Sequence, residues 1–351
     1  METAIGRDHT GPALDGVGCG PRQSASINRE TLMTRLKAVA LTVLAVFAVV
    51  AGLSAGQSGS SYTPKRINKA IELIEMGEPV YYFQFPGGGY EDGKSMSQTW
   101  ADAIGYNVEQ APFNALQFKE FMQGLIDGGP TPSGHRTPTV IVTLPVGGID
   151  EATVRANYWM VEQVLAAGAH GILMVHMRTE GAARALVEAS RYPLASKTPG
   201  IGEGLRGSGG QGLAAQMWGI TSQEYLRIAD PWPLNPEGEL LIGFKPEDKE
   251  ALAVIDKTMA VPGIGIVEWG PADMMMSFGL VRGPGVPYSQ EVMDAREEIL
   301  AVARQNNVVF SEVSTNADNV IERVDNGIMF HFANEEAARV GRQHTGRVMP
   351  Y

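Results

Sequence analysis

Cysteine is almost absent. The one residue of that type among 351, Cys19, stands in an N-terminal stretch set apart from the rest of the chain. The body that follows therefore has no disulfide, no thiol nucleophile and no cysteine-ligated metal, whatever its compartment. Basic side chains are also in the minority: 28 Lys and Arg face 39 Asp and Glu, for a formal net charge of −11, and no Lys/Arg run interrupts the chain. That balance excludes a nucleic-acid footprint and favours a small-molecule or protein partner. No HExxH and no paired-cysteine motif occurs, which removes the commonest zinc signatures. What is present is a 44% hydrophobic composition with 42 glycines, enough for a sizeable core in one large α/β domain or two ordinary ones.

The N-terminus reads as a processing region. Residues 1–32 are polar and Gly-rich without periodicity, and the basic stretch Met33 to Lys37 then leads into AVALTVLAVFAVVAGLSA, residues 38–55. A basic start, an apolar middle and a small residue such as Ala55 at the cut form the layout of a secretory signal, with Met33 as an alternative start. The expected body is therefore exported, periplasmic or extracellular. An uncleaved membrane anchor, near the lower length limit for a span, and a buried core helix are the alternatives. Removing 1–55 takes away five basic and four acidic residues, leaving 23 against 35, or −12.

From about residue 60 the pattern alternates, and 60–351 reads as a single domain. Helical spacing over 66–76 precedes PVYYFQF (79–85), ADAIGYNVEQ (101–110), a helix over 116–126 and the strand TVIVTLPV (139–146). An Asp150-capped helix, GILMVHM (171–177), another helix and a Gly-rich stretch lead to LLIGFKP (240–246). A helix through Ala251 and Met259, GIGIVEWG (263–270), a helix over 292–302, VVFSEV (308–313), a helix over 317–325, IMFHF (328–332) and a last helix follow. Roughly eight strands alternating with eight helices predict a closed (β/α)8 TIM barrel, whose chemistry gathers at the C-terminal ends of the strands.

Some motifs are discounted. Gly202 to Gly207 matches GxGxxG, but it follows a loop and opens no helical pattern, so it reads as a surface or lid loop. Gly87 to Gly89 is a backbone turn before it is a phosphate cradle. Met274 to Met276 read as core filler in preference to ligands. Two carboxylates remain at corresponding places, Glu247 after LLIGFKP and Asp273 after IVEWGPA. Two acids side by side at a barrel rim repel unless a cation lies between them, and hard oxygen ligands suit Mg²⁺ or Mn²⁺. Equally, Glu247 is a first-turn helix acid and Asp273 a capping turn residue.

The stretch PEDKEALAVIDKTMAVPGIGIVEWGPADMMMSFG, 246–279, resembles the signature of the HpcH/HpaI aldolase family, the metal-dependent class II pyruvate aldolases with citrate-lyase-like relatives. LAAGAHGILMVHMRTEGAARALVEASRYP, 165–193, and ADAIGYNVEQAPFNALQFKEFM, 101–122, resemble further blocks of it. The resemblance runs over about 79–332. It implies a barrel of the pyruvate-kinase-like, phosphoenolpyruvate-binding type and a divalent cation on Glu247 and Asp273. It also implies backbone around Gly270 and Ala272 facing a 2-oxo acid's carboxylate, and retro-aldol cleavage through a pyruvate enolate. Members often assemble as homo-oligomers, and the tail 335–347 is compatible with that.

The chain departs from the pattern where protons move. The family's Asp-x-x-His after strand two reads Asn107-Val-Glu-Gln110 here, and its strand-three Arg reads Thr143. Gln110 cannot act as a base near neutral pH, and Thr143 is short and neutral. His176 after strand four is the candidate replacement base, with His331 and Glu109 as weaker ones. Glu268, in an apolar strand, must meet a cation or face a pocket. Two functions stay open, a metal-dependent carbon–carbon lyase with an atypical base, or an exported binder of a metal-chelated 2-oxo acid that does not turn it over.

Overall fold

The computed structural model describes residues 62–281 and 286–351, so Cys19 and the apolar run 38–55 lie outside the described residues. Among the described residues no helix is long and apolar enough to cross a membrane. The strands are β1 (Val80–Phe85), β2 (Ala103–Asn107), β3 (Thr139–Gly147), β4 (Gly171–Val175), β5 (Pro231–Trp232), β6 (Leu240–Lys245), β7 (Ile266–Glu268), β8 (Val309–Thr315) and β9 (Phe330–Ala333). All pairings are parallel. β4 pairs with β6 and β1 with β9, which closes eight of these strands into a barrel. The two-residue β5 lies outside the ring beside the start of β6. This is the expected (β/α)8 TIM barrel.

These segments form strands because each is an apolar run buried on both faces, as parallel strands covered by helices require. The two faces separate cleanly by parity. Val80, Tyr82, Ala103, Ile141, Leu173, Leu241, Ile266 and Phe330 make one buried cluster that fills the barrel. Their neighbours Ile104, Val140, Val142, Ile172, Leu240, Ile242 and Val267 pack outward in the large strand-helix core.

Most helices fall where the spacing predicts, and Asp150 caps its helix by accepting from the Thr153 N–H at 2.7 Å. Two differences stand out. The helix expected through 251–259 is two short ones, Lys249–Leu252 and Ile255–Met259, because Val254 leaves helical geometry. The Gly-rich stretch carries two unexpected helices, Gln211–Trp218 and Ser222–Ile228, the second capped by Thr221. Of the three methionines, Met274 and Met275 are buried and Met276 is exposed.

Candidate active site

One step along each strand from the apolar filling, parity places polar side chains inside the barrel near its C-terminal mouth. Gln84, Asn107, Thr143, Lys245, Glu268 and Ser311 all sit an even number of residues from an inward-facing apolar position. Four of them, Gln84, Asn107, Glu268 and Ser311, are linked by hydrogen bonds. Gln84 donates to Glu268 at 3.1 Å and accepts from Asn107 at 3.1 Å, while Ser311 and Tyr82 donate to Glu268. Burial raises Glu268 above the ordinary carboxylate range, against the charge of Lys245 and those bonds. Glu268 thus faces the barrel interior, bonded to neutral donors, with the Lys245 charge acting on it without an ion pair among the described residues.

Above this layer, Glu247 and Asp273 come together, as parallel neighbours β6 and β7 should bring them. Glu247 follows β6 by two residues and is buried; Asp273 lies in the first turn of the helix Pro271–Ser277, directly after β7. A third carboxylate joins them. Ligand oxygens of Glu109, Glu247 and Asp273 all lie within 4.8 Å of one another. Neither Glu247 oxygen has a hydrogen-bond partner among the described residues, although Lys245 Nζ stands 2.7 Å from Oε1 as an ion pair. Burial pushes Glu247 up to about 7, Lys245 opposes the rise, and the charges of Glu109 and Asp273 add to it. Three carboxylates, one of them buried with an oxygen that no described residue satisfies, fit a divalent cation of the Mg²⁺ or Mn²⁺ kind.

Gly270 makes room for this arrangement. A Cβ at that position would stand 2.2 Å from Glu247 Oε1, inside any real contact distance. Gly270→Ala therefore pushes the carboxylate out of the cluster, and Mn²⁺ affinity should fall at least about tenfold. Equilibrium dialysis checks it; wild-type affinity in the variant would refute the fit.

His176 stands one residue past the end of β4 with φ 52, a left-handed conformation that strains a non-glycine residue. Its Nδ1 lies 2.8 Å from Asp248 Oδ2, and Arg178 Nε donates to the same oxygen at 3.0 Å. Burial would raise Asp248, but the bonds from His176, the Ala251 N–H and Arg178 hold it down to about 2, so it is ionised at neutral pH. An ionised Asp248 requires the proton on Nδ1, which leaves Nε2 of the neutral ring with its lone pair. The bond to Asp248 raises the pKa of His176 first; burial opposes it, and the charges of Glu247, Asp248 and Asp273 add to the rise. The ring therefore feels two of the three cluster acids.

The other expected residues fall as follows. Thr143 is buried and points inward from β3. Gln110 is exposed, and its neighbour Glu109 is the residue that enters the cluster. Ala272 is exposed at the start of the helix that carries Asp273, while Gly270 is buried against Glu247. His331 has the opposite parity to Phe330 and leaves the barrel: it stacks on Tyr81, its Nε2 sits 2.9 Å from the Ile328 carbonyl, and burial lowers it to about 3. Two participants escaped the sequence reading, Lys245 and Asp248. The parity of LLIGFKP already places Lys245 inward; nothing local points from Asp248 to a histidine 72 positions away.

Comparison with known proteins adds an independent line. The family model for HpcH/HpaI aldolase/citrate lyase matches residues 143–333. The chain is 28% identical over 193 residues to a hydroxypyruvate/pyruvate aldolase of Cupriavidus necator, covering 54% of this chain and 65% of that protein. It is 31% identical over 192 residues to a 4-hydroxy-2-oxovalerate aldolase of Rhodococcus jostii, covering 53% and 67%. The match thus spans a little less than two thirds of the first relative's length. An HpcH/HpaI aldolase/citrate lyase family structure from Burkholderia cenocepacia superposes with a TM-score of 0.59 at 20% identity, over 80% of this chain and 98% of that one. That likeness concerns the fold.

Proposed function

Because the chain belongs to the HpcH/HpaI aldolase/citrate lyase family, we propose that it is a divalent-metal-dependent carbon–carbon lyase that cleaves the aldol adduct of a pyruvate-like 2-oxo acid. The observation that carries this reading is the convergence of Glu109, Glu247 and Asp273 at the mouth of the barrel, with Glu247 buried, its Oε1 paired to Lys245 and its Oε2 without a partner among the described residues. These three side chains would hold Mg²⁺ or Mn²⁺. The ion supplies Lewis acidity toward the 2-oxo group and offsets charge that develops on its oxygen.

The protein's own contribution is positioning and proton transfer. His176, oriented by Asp248, accepts at Nε2 the proton of the adduct's hydroxyl as the C3–C4 bond breaks, and returns it to C3 of the enolate. The products are an aldehyde and the 2-oxo acid. Thr143 faces inward from β3, the strand next to the one that carries His176, and Gly270 leaves the space in which Glu247 lies. His176 thus takes the part that the resemblance gives to the histidine whose place Gln110 holds, since an amide has no accessible protonation near neutral pH.

Exchange of pyruvate methyl protons in heavy water tests the reading. With Mg²⁺ the methyl signal should fade in proton NMR, and chelation should stop the loss. Binding of metal and pyruvate with no loss of signal would leave the second reading, a binder without turnover. His176→Asn should lower kcat by about 10²–10⁴. A base works when deprotonated, so the rate should rise with pH through the elevated His176 value. Asp248→Asn removes the largest cause of that elevation, and the rising limb should shift to lower pH. A pH-rate profile decides; an unmoved limb counts against His176 as the base. We also propose export directed by residues 38–55 and self-association, which N-terminal sequencing of the secreted chain and light scattering test.

A further inference from the structure

The acid cluster already holds a cation of its own. Lys245 is the last residue of β6, faces inward and is buried. Its Nζ lies 2.7 Å from Glu247 Oε1 and 2.9 Å from Glu109 Oε2, so it bridges two of the three cluster carboxylates. An ammonium is a point charge of one unit with three N–H donors, and it cannot chelate. Here it leaves Glu247 Oε2 without a donor and makes no ion pair with Asp273 among the described residues. The cluster therefore remains short of positive charge, yet the oxygens that a divalent ion needs are the ones the ammonium touches.

We propose that Lys245 is a resident competitor for the metal site: the divalent ion displaces its ammonium from Glu247 and Glu109, and the displaced ammonium then anchors the carboxylate of the 2-oxo acid. This inference rests on the metal site read above. Lys245 is a positioning residue toward the ion and a binding residue toward the substrate. The two effects have opposite signs, a signature that a merely structural lysine would not give. Metal and 2-oxo acid consequently bind with positive coupling, since the first arrival releases the group that holds the second.

The test measures Mn²⁺ affinity by the electron paramagnetic resonance signal of the free ion, and pyruvate affinity by calorimetry on the Mg²⁺-loaded protein. Lys245→Gln should tighten Mn²⁺ binding at least about tenfold, because a like charge a few ångströms from the ion is removed. The same change should weaken pyruvate binding at least about tenfold. Lys245→Arg, which keeps the charge, should stay near the wild-type metal affinity. Unchanged or weaker Mn²⁺ binding in Lys245→Gln, with wild-type uptake intact, overturns the competitor alone. Failure of both proteins to take up Mn²⁺ overturns the metal site together with it. Should Lys245→Gln not fold, acetylation of Lys245 in the wild-type protein, followed by mass spectrometry, decides. Mg²⁺ should make Lys245 more reactive by freeing it, and unchanged or lower reactivity overturns the proposal.

Discussion

Glu247→Gln should reduce Mn²⁺ affinity and lyase rate together, each by about 10²–10³, with no fall in melting temperature. The carboxylate is buried in the barrel mouth with Lys245 on one oxygen and no partner on the other among the described residues, and burial outweighs Lys245 so that its pKa rises to about 7. Glutamine keeps the shape, removes that charge and leaves Lys245 still facing Glu109 at 2.9 Å, so folding loses little. The pH dependence follows with a definite sign. Only the deprotonated acid ligates a cation, so protons compete with the metal below about pH 7, and wild-type affinity should drop roughly tenfold per unit there. In Glu247→Gln that slope disappears. Mn²⁺ titrations between pH 5.5 and 8.5 on both proteins measure it. Equal affinities, or the same slope in the variant, would detach Glu247 from the metal.

The barrel was legible because parallel strands covered on both faces are written as apolar runs, and TVIVTL, GILMV and LLIGF carry that pattern unmistakably. Pairing Glu247 with Asp273 was equally local, since each follows its strand by a few residues and the strands are neighbours. Legibility stops where parity stops. β2 ends at Asn107, whose side chain accepts from the Glu109 N–H at 2.9 Å and turns the chain. That single turn decides that Glu109 enters the cluster and Gln110 faces solvent, and strand periodicity has nothing to say about it. The partnership of His176 with Asp248 is a contact between the ends of β4 and β6, adjacent only because the ring closes through that pair. The helices in 211–228 were hidden by glycine. Gly210 and Gly219 bound the first of them at its ends, and interior glycines are what lower helix expectation.

The division of labour between the two ends of the barrel explains why the site tolerates three crowded acids with one lysine between them. Chemistry gathers at the mouth, whereas the opposite rim is built for stability. There, Asp102 at the start of β2 accepts from the Tyr81 N–H at 3.1 Å and ties β1 to the chain's C-terminal segment. Arg347 grips both its oxygens, at 2.7 and 2.8 Å, and Lys69 and Arg342 approach to 3.1 Å each. The four side chains are essentially buried.

Asp102→Asn should therefore destabilise the protein by about 3–5 kcal/mol, because it leaves three buried cations without their anion. For a folded body of this size that corresponds to a melting temperature lower by about 5–8 °C. Burial alone would raise the Asp102 carboxyl, but Arg347, Lys69 and Arg342 hold it far below the ordinary carboxylate range. With the folded-state value depressed, the stabilisation is complete above the unfolded value near 4 and is lost as pH falls below it, since only the unfolded chain then takes up the proton. Wild-type stability should decline steeply between about pH 4 and 2, and the variant should decline less over that interval. Urea unfolding at pH 7 and pH 3 measures both quantities. A difference below about 1 kcal/mol at pH 7 would mean that the cations find other partners, and Asp102 would then not be the clasp between β1, β2 and the C-terminal segment. Metal affinity serves as the internal control. It should be unchanged in folded Asp102→Asn, because the substitution lies at the opposite rim from Glu109, Glu247 and Asp273.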